Sequence, residues 1–416
     1  MALIPLLGFV AVPTILYRYI TYTGFSMSLD FDSARLPNRN LTPEHQEWRA
    51  QLRRFIDREI VSYAEDWDEK GSIPDELWTK AAEVGLLGLG YPEEFGGVSE
   101  GIDLWYSIIV NEEMARVAVG GVAATLLVHG IGLPPVINFG SDELKQMVAP
   151  PVLAGTKRIS LAITEPGGGS DVAQLQTTAR LDGDHYVVNG SKTYITGGMN
   201  ANWFTTAVRT GGDGAAGVST LLIPADAQGV SRTALDKKQG WWCSDTATIY
   251  FEDVRVPAGN LLGQENKGFS VIMNNFNAER LAMAAAMEAL SRVCLEDAVA
   301  WARERKTFGK RLADHQVIRH KIAEMKQRIN ATQAYLLMTC EQVQAGTENA
   351  GDIALLKVQS SQTMEFCARE AMQILGGIGY MRGNRVERIY REVRVNAIGG
   401  GSEEIMRDLA ARQFAL

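Results

Sequence analysis

The chain has 416 residues, 46% of them hydrophobic and 22% charged, with a net charge of −8 and a pI near 5.4. This is an ordinary globular composition, long enough for two or three domains with large cores. The acidic balance and the lack of any long Lys/Arg run argue against nucleic-acid binding through a basic face.

The chain opens with Met1–Tyr17, which carries no charged side chain. It is shorter than the ~20 apolar residues that span a bilayer, and Pro5 and Pro13 interrupt it. The first cation is Arg18, so the positive start of a secretory signal is absent. We expect residues 1–28 to be an apolar extension, with the natural domain starting at Met27. Membrane contact through residues 1–20 is the alternative.

An N-terminal helical domain is expected over 29–157. Thr42 is set to cap a helix, Pro43 takes its first position and Glu44 follows. Trp48, Leu52, Phe55, Ile56 and Ile60 then recur at helical spacing. Further helices fit Asp75–Val84, Ile102–Ala118 and Ser141–Leu153, with the glycine-rich run 85–99 as a loop.

A middle antiparallel β-domain is expected over 158–265, where the hydrophobic period falls to two. Asn189-Gly190, between apolar runs, predicts a hairpin turn. Strands follow in WFTTAVRT, STLLIPA and TATIYFEDVRVP, with Pro224 and Pro257 ending runs. A C-terminal four-helix bundle is expected over 266–416, from three long periodic stretches and a final helix in SEEIMRDLAARQ. The fold class is therefore α+β multidomain.

The four cysteines (Cys243, Cys294, Cys340 and Cys367) have no CxxC spacing, and the histidines form no ligand pair. Core packing is the plain reading of three of the cysteines, and no metal is predicted. Chemistry is more readily placed elsewhere. Glu279 puts a carboxylate into an apolar run just before Arg280, and Ile398-Gly399-Gly400-Gly401-Ser402 supplies backbone without side chains. LAITEPGGGSDV, from Leu161, offers glycine amides with the hydroxyls of Thr164 and Ser170. Arg305 to Lys310 ends a long helix, where an arginine fork suits a pyrophosphate, and Gln316 opens the next. Gln373 to Tyr380 carries more glycines than a helix cap requires.

Taken in order, ITEPGGGSDV, NGSKTYITGG, FEDVRVP, GFSVIM, ERKTFGK, HQ, QILGGIGY and the glycine run before the last helix resemble the acyl-CoA dehydrogenase family of flavoproteins. The likeness covers residues 41–416. It implies FAD, held by Leu161, Thr164, Gly169, Ser170, Tyr194 and Thr196 around the isoalloxazine and ribityl part. Arg305, Thr307, Gln316, Gln373, Gly376 and Gly377 would grasp its pyrophosphate and adenosine from a neighbouring subunit. Ser402, Glu403 and Glu404 would flank the flavin. The family usually has Trp-Ile-Thr where this chain has Tyr194-Ile195-Thr196.

The reaction implied is removal of an α-proton from an acyl-CoA while a β-hydride passes to the flavin. Most of the family carry the base in a Glu-Gly-Thr string before the last helix. Here Gly400-Gly401-Ser402 stand there, and the glutamate is missing. The isovaleryl-CoA and long-chain types carry it one helix earlier, directly before an arginine, which is the place of Glu279. Ser170, Asn277, Arg280, Gly400 and Gly401 are the residues expected to meet the substrate. A medium- or long-chain or branched acyl group is expected, because a glycine run without the glutamate leaves that wall uncluttered. Trp241, Trp242 and Cys243 either shape the acyl chamber or pack at an interface. The resemblance also implies a homotetramer that passes electrons to an electron-transferring flavoprotein. The location expected is the cytoplasm of a bacterium or the mitochondrial matrix of a eukaryote. An acyl-CoA oxidase and a non-catalytic flavin-binding scaffold are the alternatives.

Overall fold

The computed structural model describes residues 28–416. The expectations of an apolar extension, of a domain start at Met27 and of membrane contact through residues 1–20 fall on residues 1–27, outside the described ones. The described chain starts with α1 (Pro43–Ile56), α2 (Ala64–Lys70), α3 (Glu76–Glu83) and α4 (Leu104–Ala115). It continues with α5 (Gly120–Leu126), α6 (His129–Gly132), α7 (Pro134–Phe139) and α8 (Asp142–Leu153). Thr42 caps α1 with Pro43 first, and the reciprocal side chain of the capping box is His45. Trp48, Leu52, Phe55 and Ile56 all face the core of this block, where they meet Leu77, Trp78 and Val122. The four short helices α2 and α5 to α7 lie outside the expected ones, because each is too brief for a hydrophobic period to register.

The strands are β1 (Ile159–Ala162), β2 (Thr178–Asp182), β3 (His185–Thr196), β4 (Trp203–Arg209), β5 (Val218–Pro224), β6 (Val230–Ala234) and β7 (Thr246–Pro257). They form one seven-stranded sheet. Most pairings are antiparallel, but β1 and β2 both run parallel to β4, so the sheet is mixed. This corrects the purely antiparallel expectation.

The Asn189-Gly190 hairpin is also corrected. Asp182 pairs with His185, so the β2–β3 turn is Gly183-Asp184, with Gly183 at φ +63°. Asn189 and Gly190 lie inside β3, where its register against β7 shifts. The Asn189 amide donates to Asp253 Oδ1 at 3.0 Å, and its Oδ1 accepts the Asp253 N–H at 2.9 Å. Gly190 adopts φ +144°, and a Cβ there would lie 2.6 Å from Thr177 Oγ1. The residue pair that suits a tight turn here makes a bulge instead.

The C-terminal block holds α9 (Gly268–Glu304), a small hairpin of β8 (Lys306–Thr307) and β9 (Lys310–Arg311), α10 (Gln316–Gln344), α11 (Ala350–Leu375), α12 (Arg385–Ile398) and α13 (Glu403–Gln413). This is five helices rather than four. α12 was missed although its signals are present: an Asn384 cap and buried Val386, Ile389, Val393 and Ala397 at helical spacing. α11 is central and packs on α9, α10, α12 and α13.

α9 ties the bundle to the sheet. Its first residue is Gly268, where a Cβ would lie 2.2 Å from the Ser219 carbonyl carbon in β5. Thr220 Oγ1 in β5 donates to the Gly268 carbonyl at 3.1 Å. Only a residue without a side chain lets the helix start this close to the strand.

Candidate active site

Glu279 lies three turns into α9, and the apolar turns before it are pinned to the sheet. Ile272, Met273 and Phe276 pack with Ile163, which follows β1, and with Leu175, Ala207 and Val218. The first glycine-rich segment and the helix that bears the carboxylate thus share one small core. Asn275 secures the same turn to the helical block by donating to the Gly130 carbonyl at 3.2 Å.

The glycine run after α12 closes on the same face of α9. Arg280 Nε donates to the Gly400 carbonyl at 3.2 Å, and its NH1 reaches Asn277 Oδ1 at 3.3 Å. The guanidinium also stands 5.4 Å from the Phe276 ring. Arg280 and Asn277, both expected at the substrate, thus join the glycine run to α9. Gly400 has φ +66° and Gly401 φ +109°, the left-handed region that glycine tolerates. A Cβ on Gly400 would lie 2.7 Å from Met283 Sδ. Met283 is one helical turn beyond Glu279, so a side chain at position 400 would project onto the face of α9 that carries Glu279. The two places from which a carboxylate could be presented are neighbours in space.

The same contacts correct the expectation of an uncluttered wall. Met283 lies against Gly400, and a Cβ on Gly401 would fall 2.4 Å from Met406 Cε. Met283 fills the space beside Gly400 on the α9 side, whereas Met406 is buried in the core between α11 and α13. A flexible thioether such as Met283 reshapes readily, so the wall is adaptable rather than empty.

Glu279 itself is half-buried. Desolvation pushes its proton affinity up to about 6, and the charges of Arg280 and Lys357 oppose that rise. No salt bridge neutralises it among the described residues. A carboxylate set near neutral pH by an apolar setting is suited to take and release a proton.

The segments expected around a flavin are brought together by β1 and β3. The Thr193 N–H donates to the Thr164 carbonyl at 2.8 Å. Lys192 is fully buried beneath them, donating to the Ile163 carbonyl at 3.0 Å and to Glu165 Oε1 at 2.7 Å. Glu165 accepts in turn from the Thr177 N–H at 2.8 Å. Above this pair, Tyr194 holds φ +58° and leaves 71% of its surface exposed. Gly169, Ser170 and the glycines before them are exposed, while Leu161, Thr164 and Thr196 are half-buried. The side chains of Thr164, Ser170 and Thr196 have no hydrogen-bond partner among the described residues. Free hydroxyls, open glycine backbone and a bare aromatic ring on one rigid strand pair fit a flat heteroaromatic ring.

The second set stands elsewhere in the chain. Arg305 follows the last residue of α9, and about 1.5 Å of rise per residue places it some 38 Å along that helix from Glu279. Arg305, Gln316, Gln373, Gly376 and Gly377 are all exposed, and Thr307 Oγ1 lies 3.2 Å from His315 Nε2. Phe308, at the tip of the β8–β9 hairpin, is 96% exposed. One chain does not bring these residues to Glu279.

At the start of α13, Ser402 caps the helix through the Ile405 N–H. Glu403 is occupied by Ser361 at 2.8 Å and by Gln362, while Glu404 is exposed. Trp241, Trp242 and Cys243 lie at the junction of the blocks. The Trp242 ring sits between the guanidiniums of Arg382 and Arg391, at 4.3 and 3.8 Å. Cys243 is buried in the helical core, where desolvation and Asp68 push its thiol affinity well up. This is interface packing. Among the described residues no group of three His, Cys, Asp or Glu side chains converges to hold a metal, and no single helix is long and apolar enough to cross a membrane.

Three family descriptions match in succession: the acyl-CoA dehydrogenase N-terminal domain over 42–156, the middle domain over 160–254 and the C-terminal domain over 266–415. The chain belongs to the acyl-CoA dehydrogenase family. Among relatives, the mitochondrial long-chain specific acyl-CoA dehydrogenase of Sus scrofa is 34% identical over 380 residues, covering 90% of this chain and 87% of that one. A probable acyl-CoA dehydrogenase from Mycobacterium abscessus is 45% identical, with a TM-score of 0.87 over 90% of this chain and 99% of the other. Butyryl-CoA dehydrogenase of Megasphaera elsdenii is 30% identical, with a TM-score of 0.85 over 91% of this chain and all of its own. This acyl-CoA dehydrogenase is thus an FAD-dependent oxidoreductase, and the strand pair around Thr164 and Tyr194 fits its cofactor.

Two features went unseen in the sequence. Lys357 and the Lys192–Glu165 pair are buried ions, and their signal was a lysine at a position that faces a core. Lys357 falls in register with Ile353, Ser360 and Met364 along α11, all buried.

Proposed function

We propose that this acyl-CoA dehydrogenase removes the α-proton of its thioester with Glu279. The supporting observation is the shared helix face. Gly400 cannot present a carboxylate, its missing side chain would point at Met283, and Glu279 lies one turn away with its affinity raised to about 6. Bound FAD supplies the acceptor for the β-hydride. Glu279 holds the proton at its carboxylate, the packed turns around Phe276 limit water, and Arg280 keeps the glycine run in place. The product is the trans-2-enoyl-CoA.

The acyl group in this reading is medium- or long-chain, or branched. Met283 against Gly400 gives a wall that yields to bulk, and the pig relative is named for long chains. The remote patch of Arg305, Gln316 and Gln373–Gly377 would complete the cofactor site of a second copy, which supports a homotetramer with FAD held between subunits. An electron-transferring flavoprotein is the acceptor we assign. The compartment is the bacterial cytoplasm, or the mitochondrial matrix of a eukaryote; the pig relative is named as mitochondrial.

Anaerobic titration of the flavin with butyryl-, octanoyl-, palmitoyl- and isovaleryl-CoA, on wild type and Glu279→Gln, tests the assignment. The variant is expected to bind ligand yet lose bleaching, with turnover down roughly a thousandfold. Bleaching at the wild-type rate would remove Glu279 as the base. Use of short straight chains alone would remove the adaptable wall.

A further inference from the structure

Lys357 is a cation with no exposed surface, in the core-facing register of α11. Its ammonium has two acceptors, both main-chain carbonyls: Ala397 at 3.0 Å and Gly401 at 2.7 Å. The first sits one residue from the end of α12, and the second directly precedes the cap of α13. They bracket Ile398–Gly400, so one side chain clamps both ends of the glycine run. Arg280 holds the carbonyl of Gly400 between them at 3.2 Å.

Lys357 makes no salt bridge among the described residues. Burying a cation against two neutral carbonyls is costly. The charges that act on Lys357 are, strongest first, Glu403 of α13, Arg280 and Glu279 of α9, and Glu404 of α13. Glu403 is already paired with Arg407 at 3.0 Å and bonded by Ser361, and Glu404 is exposed. Glu279 is half-buried and makes no salt bridge among the described residues, and Lys357 is among the charges that favour its ionised form.

We propose that Lys357 is a positioning residue for dehydrogenation, which clamps the glycine run against α9 and lends its charge to the carboxylate of Glu279. The inference rests on the reading of Glu279 as the base. Desolvation lowers the ammonium's own affinity to about 8, so at pH 7 it carries the charge that this role requires.

The test compares FAD-loaded Lys357→Met, Lys357→Gln and Lys357→Arg with wild type, using whichever of octanoyl-, palmitoyl- and isovaleryl-CoA the wild type turns over. The acid limb of kcat/KM should move up by about half to one pH unit in the two uncharged variants. At pH 7 their kcat should fall about tenfold while KM changes by less than about twofold. Lys357→Arg should keep the limb. An unmoved limb in folded, flavin-loaded Met or Gln variants overturns the proposal. Failure of all three variants to fold or load FAD overturns it too, because Lys357 would then be a structural residue. Glu279→Gln run alongside separates the two ideas. An inactive Glu279→Gln with an unmoved limb at Lys357 sinks the lysine alone, whereas an active one removes the base and the lysine's role with it.

Discussion

Glu279 shows how a single residue acquires its chemistry from its neighbours. A solvated glutamate would be a weak base at pH 7, and desolvation lifts this one to about 6. A general base works only when ionised, so kcat/KM should rise with pH and level off above about 6. A profile of kcat/KM from pH 5 to 8 checks this, since that ratio reports groups in the free enzyme. A limb below pH 5 would mean that water reaches the carboxylate. The sequence alone made Glu279 the candidate, because a glycine run stands where the family's usual base would be and an acid precedes an arginine one helix earlier. Its affinity was not legible there, since that depends on Phe276, Ile163 and the run after α12 converging on one face.

At the scale of elements, β1 and β3 are held together from below by Lys192 and Glu165. The pair is out of reach of water, with side-chain exposures of 0% and 8% at 2.7 Å. Removing one partner leaves a buried charge unmatched, which costs about 3 to 5 kcal/mol. Lys192→Met should therefore destabilise the holoenzyme by roughly 3 kcal/mol in urea unfolding and weaken FAD retention. A change under about 0.5 kcal/mol would show that the pair does not hold the strands. The elements also show where reading by pattern fails. The Asn189-Gly190 pair suits a hairpin by its local preference, yet β7 pairs with β3 along its length and Asp253 grips Asn189. Cross-strand bonding outweighed a two-residue preference. α12 was overlooked for the opposite reason, since glycines on both flanks hid a regular pattern.

Across the whole molecule, Glu392 of α12 ties three blocks. It accepts the Gly120 N–H of the helical block at 3.0 Å and the Trp241 N–H beside the sheet at 3.4 Å. Desolvation, with Asp68 close by, pushes its affinity up to about 8. That is above the unfolded value near 4.5, so the native state keeps a proton that the unfolded chain releases. Stability therefore falls as pH rises between those values, and the whole loss applies above about 8. Glu392→Gln stays neutral throughout. It should flatten the decline in unfolding temperature between pH 6 and 8.5, and be more stable than wild type at pH 8.5 by about 2 kcal/mol. An equal decline in both proteins would place the titration elsewhere.

The order of helical block, sheet and bundle was set by hydrophobic period and turn residues, which are local properties and survive in a linear string. So was the identity of the groups offered to a flavin and an acyl thioester, because glycine, hydroxyl and carboxylate chemistry travels with the residue. Proximity was decided only in three dimensions. Met283 filling the space beside Gly400, Lys357 clamping Ala397 to Gly401, and the ~38 Å between Glu279 and Arg305 all follow from how helices lie on one another. Burial and electric field depend on everything nearby in space, and residues far apart in sequence supply most of it.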